Sequence, residues 1–325
     1  MEQINKIREG VWYKETVFEC GVEVEKMGNK LYIIGNGFDI AHDMPTGFAS
    51  HFRCFADKRE YNNFWELYQS KEDDIWSDFE NLLAHPNYNN LEQIFEGHQP
   101  DYLSDRESDR DDIILQAQVS GDLKGALYEF ANYAEKTLIN TERMPFFGRL
   151  LDVEGYYISF NYTHTLEKIY DIPKERVLHI HGEVGKGNLE LGYPQGSYAP
   201  EKYHYDVRQK GRGPYATIEI EDHISDIEDY YIRTAYETLK EKCESFYKEP
   251  RLDLLKEFLN KNHCTSNEIV VYGHSCAIDV EYFKYLNTTY SNAEWTFYVK
   301  GDKQDKDVQD LIKKYSIDST NIIKL

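Results

Sequence analysis

The stretch KLYIIGNGFDIAHDMPTGF, from Lys30 to Phe48, constrains the fold of this chain more than any other part of its sequence. It runs from an apolar strand into two glycines separated by one residue, and then through Asp39. Glycines directly after a buried strand let the phosphates or ribose of a ligand approach the backbone closely. A purely structural alternative is a tight turn that needs a positive φ at Gly35 or Gly37. The stretch therefore predicts either a nucleotide-binding turn or a turn that only glycine can form.

Three later segments repeat the pattern of an apolar strand followed by glycine or polar side chains: ISFNYT, HIHG and VVYGHS. Strands that alternate with helical segments are typical of a doubly wound, mostly parallel α/β sheet of the Rossmann type. Ligands of such sheets bind outside the carboxyl ends of the strands. We expect an N-terminal extension over residues 1–30, a core formed by residues 31–50 and 151–325, and a helical insertion over residues 51–150.

The remaining segments predict smaller features. VFECGVEVE alternates weakly like an edge strand, and LELGYP (Leu189 to Pro194) reads as a strand. Residues 192–215 are rich in Gly, Pro and Tyr and predict a long loop, whereas the region from about Ile227 to Leu259 is predicted to be helical. An aromatic stripe in the insertion predicts core packing there: Phe64, Trp65, Trp76 and Phe79.

Charge and composition exclude several classes of protein. The formal net charge of -21 argues against nucleic-acid binding, which requires a basic surface. The sequence has no run of about 18 apolar residues, which a membrane-spanning helix would need. Its first residues lack the apolar core of a signal peptide. None of the five cysteines forms a CxxC pair, so we expect reduced thiols, no zinc module and no metal. Together these features predict a cytoplasmic protein.

Several short blocks in register resemble a known family. IGNGFDIAHDMPT resembles the opening signature of the bacteriophage abortive-infection AbiH family. WSDFE, FNYT, HIHG, and YGHS with Asp279 after it, are similar to that family's later blocks in the same order. The resemblance extends from about Leu31 to the C-terminus and leaves the first 30 residues uncovered.

AbiH proteins in turn resemble the sirtuin-like NAD-binding fold. The sirtuin Gly-Ala-Gly turn and the Ile-Pro-Asp after it are matched without a gap by Gly35, Asn36, Gly37, Met44, Pro45 and Thr46. The sirtuin Gln-Asn block resembles Phe160-Asn161, and its His-Gly resembles His181-Gly182. The resemblance implies that Asn161 positions ribose or water and that His181 contacts the ribose hydroxyls as general base. The nucleotide contacts that we expect come from Gly35, Asn36, Gly37, Phe38, Pro45, Thr46, Thr163, Gly182, Gly273, His274 and Ser275.

The chemistry of these residue types fits cleavage of the bond between nicotinamide and ribose. Histidine changes protonation near neutral pH, and asparagine both donates and accepts hydrogen bonds. Asp39 can accept from ribose or stabilise the positive charge of an oxocarbenium-like ribose. We therefore expect Asn161, His181 and Asp39 to form the catalytic group.

Two departures from the sirtuin pattern limit the resemblance. Thr163 stands where sirtuins and many defence relatives carry an acid, and Asp39 stands where sirtuins usually carry a serine. The CxxC zinc module, which supports the peptide-binding half of a deacetylase, is missing. The resemblance then implies NAD binding, with or without cleavage by water.

The resulting expectation is an abortive-infection protein that hydrolyses NAD, its substrate, to nicotinamide and ADP-ribose without a metal. Its expected partners are a phage-derived trigger and further copies of itself. A non-catalytic sensor that holds NAD or a related nucleotide remains open, as does an enzyme that stays latent until it is triggered. Arg176 and His181 also fit the R-x4-H motif of HEPN ribonucleases, but that motif belongs on a helix and RVLHIHG reads as a strand.

Structural roles remain open for most of these residues. Asn161 or Asp39 can cap a helix, and a histidine on a strand is more often structural than catalytic. His179 points to the same face as His181, which leaves open that one of the pair only supports the other. His274 and Ser275 fit either a helix N-terminus near phosphate or a simple turn. His42 and Asp279 are second-rank candidates.

Overall fold

A six-stranded parallel sheet forms the centre of the computed structural model. The structure describes residues 3–8, 11–18, 21–25, 30–56, 58, 79–86, 93, 110–117, 123–193, 202–208, 217–223 and 227–325. Its strands are β1 Gln3–Arg8, β2 Val11–Phe18, β3 Gly21–Glu25, β4 Leu31–Ile34, β5 Tyr156–Ser159, β6 Val177–His179, β7 Lys202–Arg208, β8 Thr217–His223, β9 Glu268–Tyr272, β10 Glu294–Val299 and β11 Thr320–Lys324. The central sheet has the order β11-β10-β9-β4-β5-β6, and every neighbouring pair in it is parallel.

Helices connect these strands. They are α1 Gly37–Ala41, α2 Arg53–Ala56, α3 Phe79–Leu82, α4 Asp111–Ala117, α5 Leu123–Thr137, α6 Pro145–Leu150, α7 Thr165–Tyr170, α8 Tyr230–Glu244, α9 Leu252–Lys261, α10 Val280–Thr289 and α11 Asp302–Tyr315. A π-helical turn at Phe48–Phe52 precedes α2. Single 3-10 turns lie at Leu138–Asn140 and Lys174–Arg176.

Both faces of the sheet are covered, which explains why the central strands are apolar without alternation. All four residues of β4 and all four of β5 are buried. On one face Leu31 and Ile33 pack with apolar side chains of α9, α10 and α11. On the other face Tyr32 and Ile34 pack with α6 and α7. A third cluster joins α3, α4 and α5 to α8 and contains Phe79, so the prediction that Phe79 packs in a core is confirmed.

The chain reverses its direction of winding beside β4. It runs outward from β4 through β5 to β6, and then returns to the other side of β4 with β9, β10 and β11. The loop after β4 and the loop after β9 therefore lead in opposite directions along the sheet. Their divergence opens a crevice at the carboxyl ends of these two strands. The fold therefore places the predicted ligand edge at the centre of the sheet.

Some local predictions were wrong and others were confirmed. The segment predicted as a long loop contains β7, which pairs with β8 in an antiparallel ribbon. Residues 189–192 form no strand, and only Tyr193 makes an isolated bridge, to Tyr247. The prediction of helix from about Ile227 to Leu259 is confirmed by α8 and α9, which are separated by the non-helical residues 245–251. The predicted N-terminal edge strand is confirmed by β3, which lies at the edge of the three-stranded antiparallel sheet β1-β2-β3. The predictions for Phe64, Trp65 and Trp76 lie outside the described residues.

Two glycine turns pack against each other at the crevice. Neither Gly35 nor Gly37 has a positive φ, so the predicted strained turn is wrong at those positions. A Cβ on Gly35 would lie 2.6 Å from the backbone O of Gly273, and one on Gly37 would lie 2.6 Å from its Cα. The glycine with a positive φ at this contact is Gly273, whose φ of 70° suits a residue without a Cβ. Close approach of the turns after β4 and β9 therefore explains the glycine pair.

We expect Gly35→Ala to destabilise the protein by about 1–3 kcal/mol, the usual cost of overpacking. The new Cβ would meet backbone atoms of Gly273 and His274 at 2.6 Å, and backbone cannot rotate away as a side chain can. Gly148→Ala is the matched control, because Gly148 lies within α6 and the Cβ that alanine adds there would be 3.5 Å from its nearest neighbour, on Arg143. The control should be neutral or stabilising. Free energies from urea unfolding distinguish the two, and equal values would contradict the packing argument.

Candidate functional site

A cavity of about 550 Å³ lies at the carboxyl ends of β4, β5 and β9. Most of the residues predicted for the site line it: Gly35, Asn36, Gly37, Asp39, Thr46, Asn161, Thr163, His181, Gly273, His274 and Ser275. Phe130, Ala131 and Ala134 of α5 form part of its wall. The predicted strand-end residues therefore meet at one cavity, closed on one side by the helices inserted after β4.

Three of the predicted nucleotide contacts do not line this cavity. Phe38 is fully buried and packs edge-on against Phe147 in the aromatic core. Gly182 has a φ of 90°, and a Cβ there would lie 2.3 Å from the backbone O of Asn188. Pro45 is also absent from the lining. The structure thus gives Phe38 a packing role and Gly182 a role in the turn after β6.

The carboxylate of Asp39 is held by two threonines from the segment after β5. Thr163 Oγ1 donates to its Oδ2, and Thr165 Oγ1 donates to its Oδ1 at 2.8 Å. The side chain is almost completely buried, although Asp39 contributes to the cavity lining. Burial raises the pKa of Asp39 from 3.8 to about 6, while hydrogen bonds from Thr163, Thr165 and Asn161 oppose that rise. Asp39 therefore does not cap a helix; it lies within α1 and bridges to the neighbouring strand end.

Asn161 presents an unpaired acceptor at the cavity. Its backbone N–H donates to Ser159 Oγ at 3.2 Å, and its backbone O accepts from His179 Nδ1 at 2.8 Å. Its side-chain Oδ1 is buried and has no hydrogen-bond partner among the described residues. The residue at the N-cap of α7 is His164, so the interpretation of Asn161 as a helix cap is wrong. A buried amide oxygen without a partner is costly, and a ligand or water hydroxyl would satisfy it.

His181 lies beside a buried ionic group. Its Nε2 is 3.3 Å from Asp279 Oδ1, a distance that permits ionic attraction, but the two groups are not aligned as a hydrogen bond. Lys248 Nζ is 3.3 Å from the same oxygen and 3.3 Å from Glu80 Oε1. Burial disfavours ionisation of Asp279, but His181 and Lys248 outweigh it and hold its pKa well below the usual range. His181 therefore faces a fixed negative charge at the base of the cavity.

His274 is the neutral member of this group. Its Nδ1 accepts from the backbone N–H of Cys276 at 3.0 Å, and its ring packs edge-on against Phe160 at 4.4 Å. Burial lowers the pKa of His274 from 6.5 to about 4. His274 and Ser275 lie in a turn, and α10 begins later, at Val280. The alternative that they form a helix N-terminus is therefore wrong.

The other candidate histidines lie away from the cavity. His42 contacts the backbone O of Phe38 and the hydroxyl of Tyr170 within the aromatic core. His179 supports the backbone of Asn161 rather than lining the cavity. Of the second-rank candidates, Asp279 therefore belongs to the site and His42 does not.

Sequence reasoning missed Lys248 and Glu80, which complete the ionic group below His181. Glu80 lies in the WSDFE block that is similar to the AbiH pattern, and that block was the available signal for it. Lys248 lies in an unremarkable polar segment after α8, and no sequence signal marks it. Lys300 and Lys303 at the far end of the cavity were also missed.

Comparison with known proteins now decides the family. The family model described as bacteriophage abortive infection AbiH matches residues 31–299, well over half of the chain. The chain belongs to the AbiH family. The match begins at β4 and includes the predicted site residues, so the AbiH region carries most of the cavity lining. No curated protein and no solved structure matches the chain. In the described parts of this AbiH family member, none of the helices combines the length and apolar character of a membrane span.

Proposed function

We propose that this abortive-infection protein binds NAD in the cavity and hydrolyses it to nicotinamide and ADP-ribose. The observation that carries the proposal is the meeting of Asp39, Asn161 and His181, from three different strand ends, at one cavity beside the switch point. Counted from β4, the strand order is 3-2-1-4-5-6, the order of doubly wound sheets that bind dinucleotides. A volume of about 550 Å³ also lies within the usual range of small-molecule sites.

The proposed reaction divides its work among the three residues. Water adds to the ribose carbon while nicotinamide departs with the electron pair of the broken bond. Asn161 Oδ1, which has no partner among the described residues, accepts a hydrogen bond from this water or from a ribose hydroxyl. His181 takes the proton of the attacking water, and Asp279 stabilises the imidazolium that forms. Ionised Asp39 stabilises positive charge on the ribose.

The two departures from the sirtuin pattern support the proposal when they are taken together. Thr163 stands where an acid is usual, and Asp39 stands where a serine is usual. In the structure Thr163 Oγ1 donates directly to Asp39 Oδ2. An acid and a hydroxyl therefore still meet at this place, with their positions exchanged between the two strand ends.

A second candidate function is a sensor that binds the nucleotide without cleaving it. Both carboxylate oxygens of Asp39 already accept hydrogen bonds from the protein, which favours a structural role for this acid. The ribonuclease alternative lacks its helix, because residues 177–179 between Arg176 and His181 form β6. An enzyme that depletes NAD must be silent in resting cells, so a phage-derived trigger or self-association also belongs to the proposal.

The test is release of nicotinamide from NAD by the purified protein, measured by HPLC. We expect His181→Ala to lower the rate by about 10²–10⁴-fold, the usual contribution of a general base. Asn161→Ala should lower it by about 10²–10³-fold, the usual effect of losing one positioned hydrogen-bonding group. Asn140→Ala and His85→Ala are matched controls, since both residues are exposed and remote from the lining, and they should retain the wild-type rate. Binding of NAD without release, measured by calorimetry, would favour the sensor. Wild-type rates in both site variants would refute the assignment.

A further inference from the structure

A second cluster of titratable side chains lies outside the cavity, behind the strand end that carries Asn161. Its centre is formed by His164, Glu167 and His179, and one nitrogen or oxygen from each lies within 4.8 Å of the other two. Glu135 and Glu183 flank it, each in contact with His164. All five side chains are at most 18% exposed. This cluster does not take part in the proposed reaction.

The two histidines have the same orientation. His179 Nδ1 lies 2.8 Å from the backbone O of Asn161, and His164 Nδ1 lies 2.9 Å from Glu135 Oε1. The carbonyl oxygen of Asn161 can only accept, so His179 donates to it from Nδ1. His164 faces a carboxylate at each nitrogen, and an ion at its Nε2 leaves Nδ1 to donate to Glu135. Histidines that bind metals are held in this way, with one ring N–H donated to a carbonyl or carboxylate and the other nitrogen on the metal.

The second nitrogen of each ring then faces an acceptor. His179 Nε2 lies 2.9 Å from Glu167 Oε1, and His164 Nε2 lies 2.8 Å from Glu183 Oε2. A neutral ring with its proton on Nδ1 carries a lone pair on Nε2, and a lone pair opposite a carboxylate oxygen is repulsive. Each of these contacts therefore needs either a proton, carried by the ring or by the carboxyl group, or a metal cation between the two atoms.

Glu167 gives an independent indication of a missing partner. Its side chain is only 7% exposed, and its Oε2 is buried without a hydrogen-bond partner among the described residues. Buried carboxylate oxygens in proteins are paired or bind metals. Two lysines at the edge of the cluster form salt bridges with other carboxylates: Lys168 pairs with Glu135, and Lys186 pairs with Glu183.

We propose that this cluster binds a divalent transition-metal ion of the Zn²⁺ type. The ligands are Nε2 of His164, Nε2 of His179 and the carboxylate of Glu167, with Glu183 beside His164. Imidazole and carboxylate together suit Zn²⁺ and its neighbours, with bonds of about 2.0–2.2 Å. The sequence pointed away from a metal because it lacks cysteine pairs, but these ligands come from α7, its N-cap and β6.

The ion has a structural consequence for the cavity. It would tie the start of α7 to the end of β6, and His179 would transmit that restraint to the backbone of Asn161. The metal site stands independently of NAD hydrolysis, since no metal takes part in that reaction. Its test therefore measures metal binding and not activity.

The experiment measures metal bound to the full-length protein after dialysis against Zn²⁺ and then against metal-free buffer. We expect about one Zn²⁺ per chain, and X-ray absorption should show nitrogen and oxygen neighbours at about 2.0–2.2 Å. The double variant His164→Gln/Glu167→Gln should bind Zn²⁺ at least about 100-fold more weakly, since it loses two ligands. The matched double variant His85→Gln/Glu175→Gln changes two exposed residues of the same types and should bind like the wild type.

Three results would overturn the proposal. Wild-type protein that retains no Zn²⁺ would show that hydrogen bonds alone hold the cluster together. Sulfur neighbours at about 2.3 Å would place the ion on cysteines instead. Equal affinity in both double variants would place it on other side chains. The absorption measurement uses only wild-type protein, so the proposal remains testable even if the ligand variant fails to fold.

Discussion

Lys248→Met is expected to lower the free energy of unfolding by about 3–5 kcal/mol, the usual cost of removing one partner from a buried ionic group. The Lys248 side chain is 4% exposed, and its Nζ lies 3.3 Å from both Glu80 Oε1 and Asp279 Oδ1. Burial lowers the pKa of Lys248, but the two carboxylates outweigh burial and raise it above its usual value. Methionine fills similar space without charge, so the variant leaves two buried carboxylates without their shared cation.

The pH dependence of stability follows from the same ionic group. The pKa of Asp279 is depressed in the folded protein, so its contribution is present above the unfolded value of 3.8 and is lost as the pH falls below it. Without Lys248 the depression should diminish. The stability difference between wild type and Lys248→Met should therefore be largest near neutral pH and smaller in acid.

Urea unfolding at neutral and acidic pH measures both effects. Lys256→Met is the matched control, because Lys256 is exposed and pairs with the exposed Asp253 at 3.2 Å. Such a surface pair contributes at most about 1 kcal/mol. Adding Glu80→Gln and Asp279→Asn to Lys248→Met should recover part of the lost stability, since the uncompensated charges are gone. A Lys248→Met protein as stable as the control would contradict the ionic group.

The central strands of the fold could be predicted because their burial is evident from a few consecutive residues. The apolar runs of β4, β5 and β9 are buried on both faces, and a continuous apolar run indicates such strands directly. The glycine pair was correctly interpreted as a close approach, but its neighbour is another glycine turn, at Gly273. That partner is distant in sequence, so no single motif could identify it.

The missed features depend on long-range charge pairing. Lys248 and Glu80 are 168 positions apart, and each alone resembles a solvated surface charge. Asn161 and His181 could be predicted because they follow strands whose carboxyl ends share one edge. Asp279 was only a second-rank candidate, because its partner Lys248 cannot be identified from the sequence. The proposed metal ligands could not be predicted either, because His179 is distant in sequence and the H-x-x-E spacing of His164 and Glu167 by itself indicates only neighbours on a helix face.

Asp39→Asn is expected to stabilise the protein at pH 7 while abolishing its proposed activity. Burial raises the pKa of Asp39 from 3.8 to about 6, so the folded state holds this proton more tightly than the unfolded state. Stability then falls as the pH rises between these two values and stays low above them. The difference corresponds to roughly 3 kcal/mol at neutral pH, which is an upper limit for the gain. Near pH 4 the gain should almost vanish.

The buried His274 should determine how the stability of Asp39→Asn depends on pH. Burial lowers its pKa from 6.5 to about 4, so its contribution to stability is lost as the pH falls through that range. In the wild type the opposite slopes of Asp39 and His274 offset each other. Asp39→Asn removes one of them, so the stability of the variant should rise with pH between about 4 and 6.5.

Urea unfolding at several pH values, together with nicotinamide release, tests this prediction. Asp43→Asn is the matched control: Asp43 is exposed four residues later, and its φ of 58° suits asparagine equally well. Its stability should change by less than about 0.5 kcal/mol at any pH. An Asp39→Asn protein that is less stable than wild type at pH 7 would show that Asp39 is held ionised for the fold. A stabilised but inactive variant would instead indicate that the buried charge is retained for chemistry, at the expense of stability.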